Sequence, residues 1–117
     1  MSSQNLAVRL WCEPLRSLAF GSITSTYAGI GTSLANACRQ FILNNNTDVL
    51  LIFSLDGVTD HFVLAANSQL IDDIGSNSLF PGGSWNMAQG TRLYVRTAGS
   101  PSVGAVYFSV FYGIGSL

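Results

Sequence analysis

Lysine is absent from this chain of 117 residues, and histidine and glutamate occur once each, as His61 and Glu13. The five cations are all arginine, Arg9, Arg16, Arg39, Arg92 and Arg96, set against six acids for a net charge of −1. That balance supplies no basic footprint for phosphates, so nucleic acid is not an expected partner. One His and one Glu fall short of the ligand set that a closed or catalytic metal site takes, and they leave no choice in building a nucleophilic triad. Neither a GxSxG elbow nor a strand-linked phosphate loop is present. The two cysteines, Cys12 and Cys38, lack CxxC spacing, so a bridge between them and two free thiols both remain open.

No apolar run reaches the roughly 18 residues of a membrane span. Arg9, Glu13, Pro14 and Arg16 interrupt the first twenty residues, where a signal peptide needs an apolar stretch. The expectation is a single domain made in the cytoplasm, with no membrane partner. Charged residues make up 9% of the chain, against about 25% in an average soluble protein. A monomer of this size exposes roughly 6,200 Å², or about one charge per 560 Å². So bare a coat solubilises a free monomer poorly and is expected to be covered by partners. Arginine is also the cation that interfaces favour, through its weakly hydrated planar fork.

What the chain does have is glycine, 12 residues of it, punctuating short runs rich in Val, Ile, Phe, Tyr and Thr. Short strands joined by turns follow from that pattern. Ser22 to Tyr27 alternates, and Arg39 to Leu43 and Val49 to Leu55 are read as a hairpin across Asn44-Asn45-Asn46-Thr47-Asp48. Asp56-Gly57 predicts a type I′ turn into a further strand, Val58 to Ala65. Gln69 to Ile74 is a shorter candidate, and residues 75–90, with Pro81-Gly82-Gly83 and Trp85, read as an ordered loop. Thr91 to Thr97 sets Arg92, Tyr94 and Arg96 on one face and Leu93, Val95 and Thr97 on the other. Ala105 to Tyr112 is apolar on both faces, with Val106, Phe108, Val110 and Tyr112 assigned to the core and Tyr107 and Phe111 to an interface. The expected fold is all-β, a jelly-roll-like β-sandwich over residues 18–117. Residues 1–17, apolar at Leu6, Val8, Leu10, Trp11 and Leu15 but broken by Pro14, are read as an extended N-terminal docking arm.

Candidates for chemistry are few. His61 beside Asp60 reads as a structural histidine, and Asp56, Asp60, Asp72 and Asp73 as turn and loop acids before they read as a calcium site. Trp85, Tyr94, Tyr107, Phe111 and Tyr112 offer a sugar platform in principle, but aromatics at period two in strands mostly pack. No catalytic residue, cofactor or metal is expected, and a binding or assembly role remains.

The order Asn44-Asn45-Asn46-Thr47-Asp48, Ile52-Phe53-Ser54-Leu55-Asp56-Gly57, Asp60-His61-Phe62-Val63-Leu64, Gly90 to Arg96 and Gly104 to Gly113 resembles small β-proteins encoded among the virion genes of tailed bacteriophages. In size and apolar arm the chain is similar to the capsid cement or decoration proteins of short-tailed phages. The likeness covers roughly residues 18 to 113 and rests on strand and turn signatures. It implies a jelly roll that dimerises on the outside of an icosahedral shell and clamps neighbouring copies of the major capsid protein. The residues expected at the capsid or dimer contact are Leu10, Trp11, Leu15, Arg16, Tyr107 and Phe111. The competing reading is a receptor-binding or carbohydrate-binding module of a phage tail.

Overall fold

The computed structural model describes residues 9–73 and 87–114. Among the described residues nine strands form: β1 (Arg9–Cys12), β2 (Arg16–Ala19), β3 (Ala28–Gly29), β4 (Gln40–Asn45), β5 (Leu51–Ser54), β6 (Phe62–Leu64), β7 (Ser68–Asp73), β8 (Tyr94–Arg96) and β9 (Ala105–Ile114). A 3-10 turn, Phe20–Ser22, interrupts the strands of this all-β chain. The strands lie in two antiparallel sheets, β1/β2-β9-β4-β7 and β3-β8-β5-β6. Both β1 and β2 pair with β9, so they form one edge strand broken at residues 13–15. Counted so, the eight strand positions alternate between the sheets except at the paired β5 and β6, which is the jelly-roll order.

The core follows the pleat. Phe41 and Leu43 of β4, Leu51 and Phe53 of β5, Val95 of β8, and Val106, Phe108 and Val110 of β9 are all buried between the sheets. Phe41 meets Phe108 edge-on, ring centroids 5.9 Å apart, and Phe62 stacks on Phe53 at 5.2 Å. The face assignments made from sequence for the last two strands hold: Leu93, Val95 and Thr97 point inward, and Tyr107 points out. Tyr112 is half-buried, toward the end of the core.

Several expectations are corrected. Residues 39–43 and 49–55 do not form a hairpin, because β4 and β5 belong to different sheets. The buried side chain of Asn45 turns the chain across: its Nδ2 donates to the carbonyls of Val49, Leu64 and Ala65, and its Oδ1 accepts from Thr47 N–H and Oγ1–H. Val49 to Leu55 and Val58 to Ala65 do contribute paired strands, β5 and β6, but the link is longer than a type I′ turn. Asp56 instead accepts the N–H groups of Val58 and Thr59 with its carboxylate, and Gly57 alone has positive φ there. Ser22 to Tyr27 supplies no strand; the short β3 follows it.

The N-terminal boundary also moves. The described ladder starts at Arg9, so residues 9–17, read from sequence as part of a docking arm, run along the edge of the sandwich. Apolar residues there pair with β9 almost the whole chain away, a partner that spacing alone does not reveal. Residues 1–8 of the expected arm, Trp85 with residues 74–86 of the expected loop, and residues 115–117 lie outside the described residues.

Candidate functional site

The two outer faces of the sandwich differ in chemistry. Directly paired residues share a face, so the register of the β1/β2-β9-β4-β7 sheet sets out its outer surface. Leu10 and Cys12 stand beside Gly113 and Phe111, Ser17 beside Tyr107, and Ile42 between Ser109 and Ile71. Gln40, Asn44 and Gln69 also lie on it, and the register sets Asp73 beside Gln40 at its end. Among the described side chains of this face none is charged. Leu10 is 42% exposed, Ile71 58% and Tyr107 37%, in a continuous four-strand surface.

Charge collects on the other outer face. Arg92, Tyr94 and Arg96 project from β8 and its approach. Arg96 forms a two-pronged pair with Asp60, Nη2 to Oδ2 at 2.7 Å and Nε to Oδ1 at 3.1 Å. Tyr27 donates its hydroxyl to the same carboxylate and lies under the Arg96 guanidinium, 5.5 Å from ring centroid to Cζ. Arg96 and Tyr27 together hold the Asp60 carboxyl below the ordinary aspartate range. Burial and the bond to Asp60 raise the Tyr27 phenol. Arg92 lies over Tyr94 in the same way, at 5.7 Å.

The residues expected at an interface are therefore divided. Leu10, Tyr107 and Phe111 share the uncharged face. Trp11, 62% exposed, pairs with Tyr112 and points to the opposite side of its sheet. Leu15, 61% exposed, stands in the break between β1 and β2. Arg16 is not available to a partner. It is buried against Glu13, with Nε donating to the Thr32 carbonyl and Nη2 to Glu13 and the Ser33 carbonyl. Sequence reasoning passed over Ile42 and Ile71, which complete the uncharged face, because nothing in an apolar run tells its outer members from its inner ones.

Other candidates resolve in place. His61 accepts the Leu55 N–H at its Nδ1, 3.0 Å away, and so braces the β5–β6 loop. A recess of about 490 Å³ lined by Leu55, His61, Phe62 and Leu70 brings that imidazole together with apolar groups only. Among the described residues no three His, Cys, Asp or Glu side chains gather at one point. The aromatics proposed as a sugar platform do not converge: Tyr94 lies on the charged face, Tyr107 and Phe111 on the uncharged one, and Tyr112 on the inner side. Cys12 is exposed and Cys38 buried, and no disulfide joins them.

No family model matches the chain, and no curated protein matches it. Among solved structures, a subunit of Bacillus endospore appendages, described as disulfide-linked pili, superposes with a TM-score of 0.50. It is 12% identical, over 98% of this chain and 97% of that one. The Dit protein of phage SPP1, described as a hub adsorption apparatus of phages infecting Gram-positive bacteria, gives a TM-score of 0.40. It is 13% identical, over 88% of this chain and 49% of that one.

Proposed function

We propose that this chain is a non-enzymatic structural subunit of a bacteriophage particle, a cement or decoration protein that binds the major capsid protein from outside, as a homodimer. The carrying observation is the outer face of the β1/β2-β9-β4-β7 sheet, which has Leu10, Ile42, Ile71, Tyr107 and Phe111 on it and no charge among its described side chains. A surface of this kind is costly to leave in water and is typical of the centre of a protein contact. Its size suits the purpose. Its strands hold 30 residues, which at a rise of about 3.3 Å and a spacing of about 4.8 Å cover on the order of 500 Å² before side-chain relief, more than half of the roughly 800 Å² per partner of a stable contact. The phage setting comes from the sequence resemblance, and the fold is one that a bacterial pilus subunit also uses.

The mechanism is linkage. A protein that binds the assembled shell and not its free subunits stabilises the shell by mass action, and many copies add their contributions. No cofactor, metal or nucleic acid takes part in this reading.

Co-sedimentation with bare capsids tests it. The intact protein is expected to pellet with shells and delay their heat disruption, and Tyr107→Ser with Phe111→Ser to remain in the supernatant. Immunogold labelling of virions separates this reading from the tail-module alternative: label on heads supports it, label confined to tails overturns it.

A further inference from the structure

We propose that the guanidinium of Arg92 is a built receptor for a carboxylate group presented by a partner on the charged outer face. Three independent contacts hold it in one place. Its Nε donates to the Gly31 carbonyl at 2.7 Å, which fixes the plane of the fork. Its Cζ lies 5.7 Å from the centroid of the Tyr94 ring. The third contact is with Gly29 of β3, over which the head group lies so closely that a Cβ there would sit 2.2 Å from Cζ, 2.4 Å from Nε and 2.5 Å from Nη2. Glycine is a poor strand residue, and inside a strand it often marks a site where another group must come close. Here the group that comes close is a cation.

The arginine so held has an unused end. Arg16 is neutralised by Glu13 and Arg96 by Asp60. Among the described residues no acid and no carbonyl meets either Nη of Arg92, whose described hydrogen bond is through Nε alone. A guanidinium with its plane set and both Nη groups free matches the two oxygens of a carboxylate. Ordering the side chain in advance removes the rotamer entropy that makes exposed arginine pairs weak. The ligand chemistry is therefore a carboxylate, borne either by Asp or Glu of a protein partner or by an acidic sugar. This inference does not depend on the shell-docking reading, which concerns the opposite face.

Gly29→Ala is the discriminating variant. The atoms it would displace are the far end of a flexible side chain, and Gly29 does not have positive φ, so the fold and the charge both stay while the head group is pushed away. With five arginines in the chain, the Nε–Hε and Nη signals of ¹⁵N-labelled full-length protein are few, and Arg92→Lys assigns those of Arg92. The titrants are sodium acetate, a hexaglutamate peptide, sodium glucuronate and sodium phosphate, each against sodium chloride at equal ionic strength. The Arg92 signals are expected to shift saturably with the carboxylates, with binding about tenfold weaker in Gly29→Ala, while those of Arg96 stay still because Asp60 occupies that fork. Tighter binding of the peptide assigns a protein partner, and tighter binding of glucuronate an acidic glycan. Arg92 signals that ignore every carboxylate, move equally in Gly29→Ala, or answer to phosphate more strongly than to carboxylate overturn the proposal.

Discussion

Arg16 Nη2 and Glu13 Oε1 lie 2.7 Å apart, both side chains buried at the point where the edge strand breaks. Glu13 also accepts the N–H groups of Ala35 and Asn36 and the Asn36 side-chain amide, so the pair ties the edge to the loop before β4. Burial alone would raise the Glu13 pKa, but the bonds from Arg16, Asn36 and Ala35 outweigh it and hold the carboxyl below its ordinary value of 4.5. The stabilisation is therefore complete above that value and disappears as pH falls through the lowered one. Glu13→Gln leaves the Arg16 charge buried without its counter-ion and is expected to cost about 3 to 5 kcal/mol at pH 7. Urea unfolding followed by fluorescence between pH 3 and 7 checks both points. The gap between parent and variant should close toward the acid end, and a gap independent of pH would show that the carboxylate charge is not what matters.

On β9 two neighbouring aromatics should behave oppositely. Phe108 is 1% exposed and packed on Phe41, so Phe108→Ala should lose on the order of 3 to 5 kcal/mol through lost burial and a cavity. Tyr107→Ser with Phe111→Ser should keep a cooperative thermal transition while reducing self-association in analytical ultracentrifugation. An unfolded double variant beside a native Phe108→Ala would mean that the faces are reversed.

The thiols make a simple accessibility test. Cys12 is exposed on the uncharged face and Cys38 is 8% exposed in the core. Ellman's reagent should titrate one thiol of the native protein within minutes and the second only in denaturant. Cys12→Ser should abolish the fast phase, and a fast phase surviving that change would contradict the burial of Cys38.

Gly104 opens β9 at φ 94°, and a Cβ there would stand 1.9 Å from the backbone oxygen of Asn46. Both the dihedral and the clash are with backbone, so no rotamer relieves them. Gly104→Ala should cost about 2 kcal/mol or more. Gly21→Ala, with nothing within 4 Å, is the control and should stay within about 0.5 kcal/mol of the parent.

The face of each strand was legible where burial follows a strict alternation, as at Leu93, Val95 and Thr97 or Val106, Phe108 and Val110. Sheet membership was not. Asn45 reads as a turn residue, but its Nδ2 also reaches the carbonyls of Leu64 and Ala65, acceptors that only the folded chain brings to it. The candidate surface was half legible for the same reason. Tyr107 and Phe111 stood out because their strand has a second apolar face. The opposite directions of Leu10 and Trp11, and the burial of Arg16, depend on a register with β9 that no local pattern records. Likewise Arg92, Tyr94 and Arg96 were placed together by alternation, whereas Gly29, Tyr27 and Asp60 arrive beside them through the topology.

The position of β9 bears on how the chain reaches this state. It is the last strand in chain order, and it lies between the edge strand β1/β2 on one side and β4 on the other. Both of those neighbours are synthesised before the strand that joins them, so the edge strand and β4 stay apart until β9 is made. Pairings between distant segments of this kind close slowly, on millisecond to second timescales for all-β sandwiches. Until they close, β4 and the edge expose the apolar residues that β9 later covers. A product stopped before Ala105 keeps the β4–β7 pairing but lacks the strand that joins β4 to the edge, and is expected to be captured by chaperones or to aggregate.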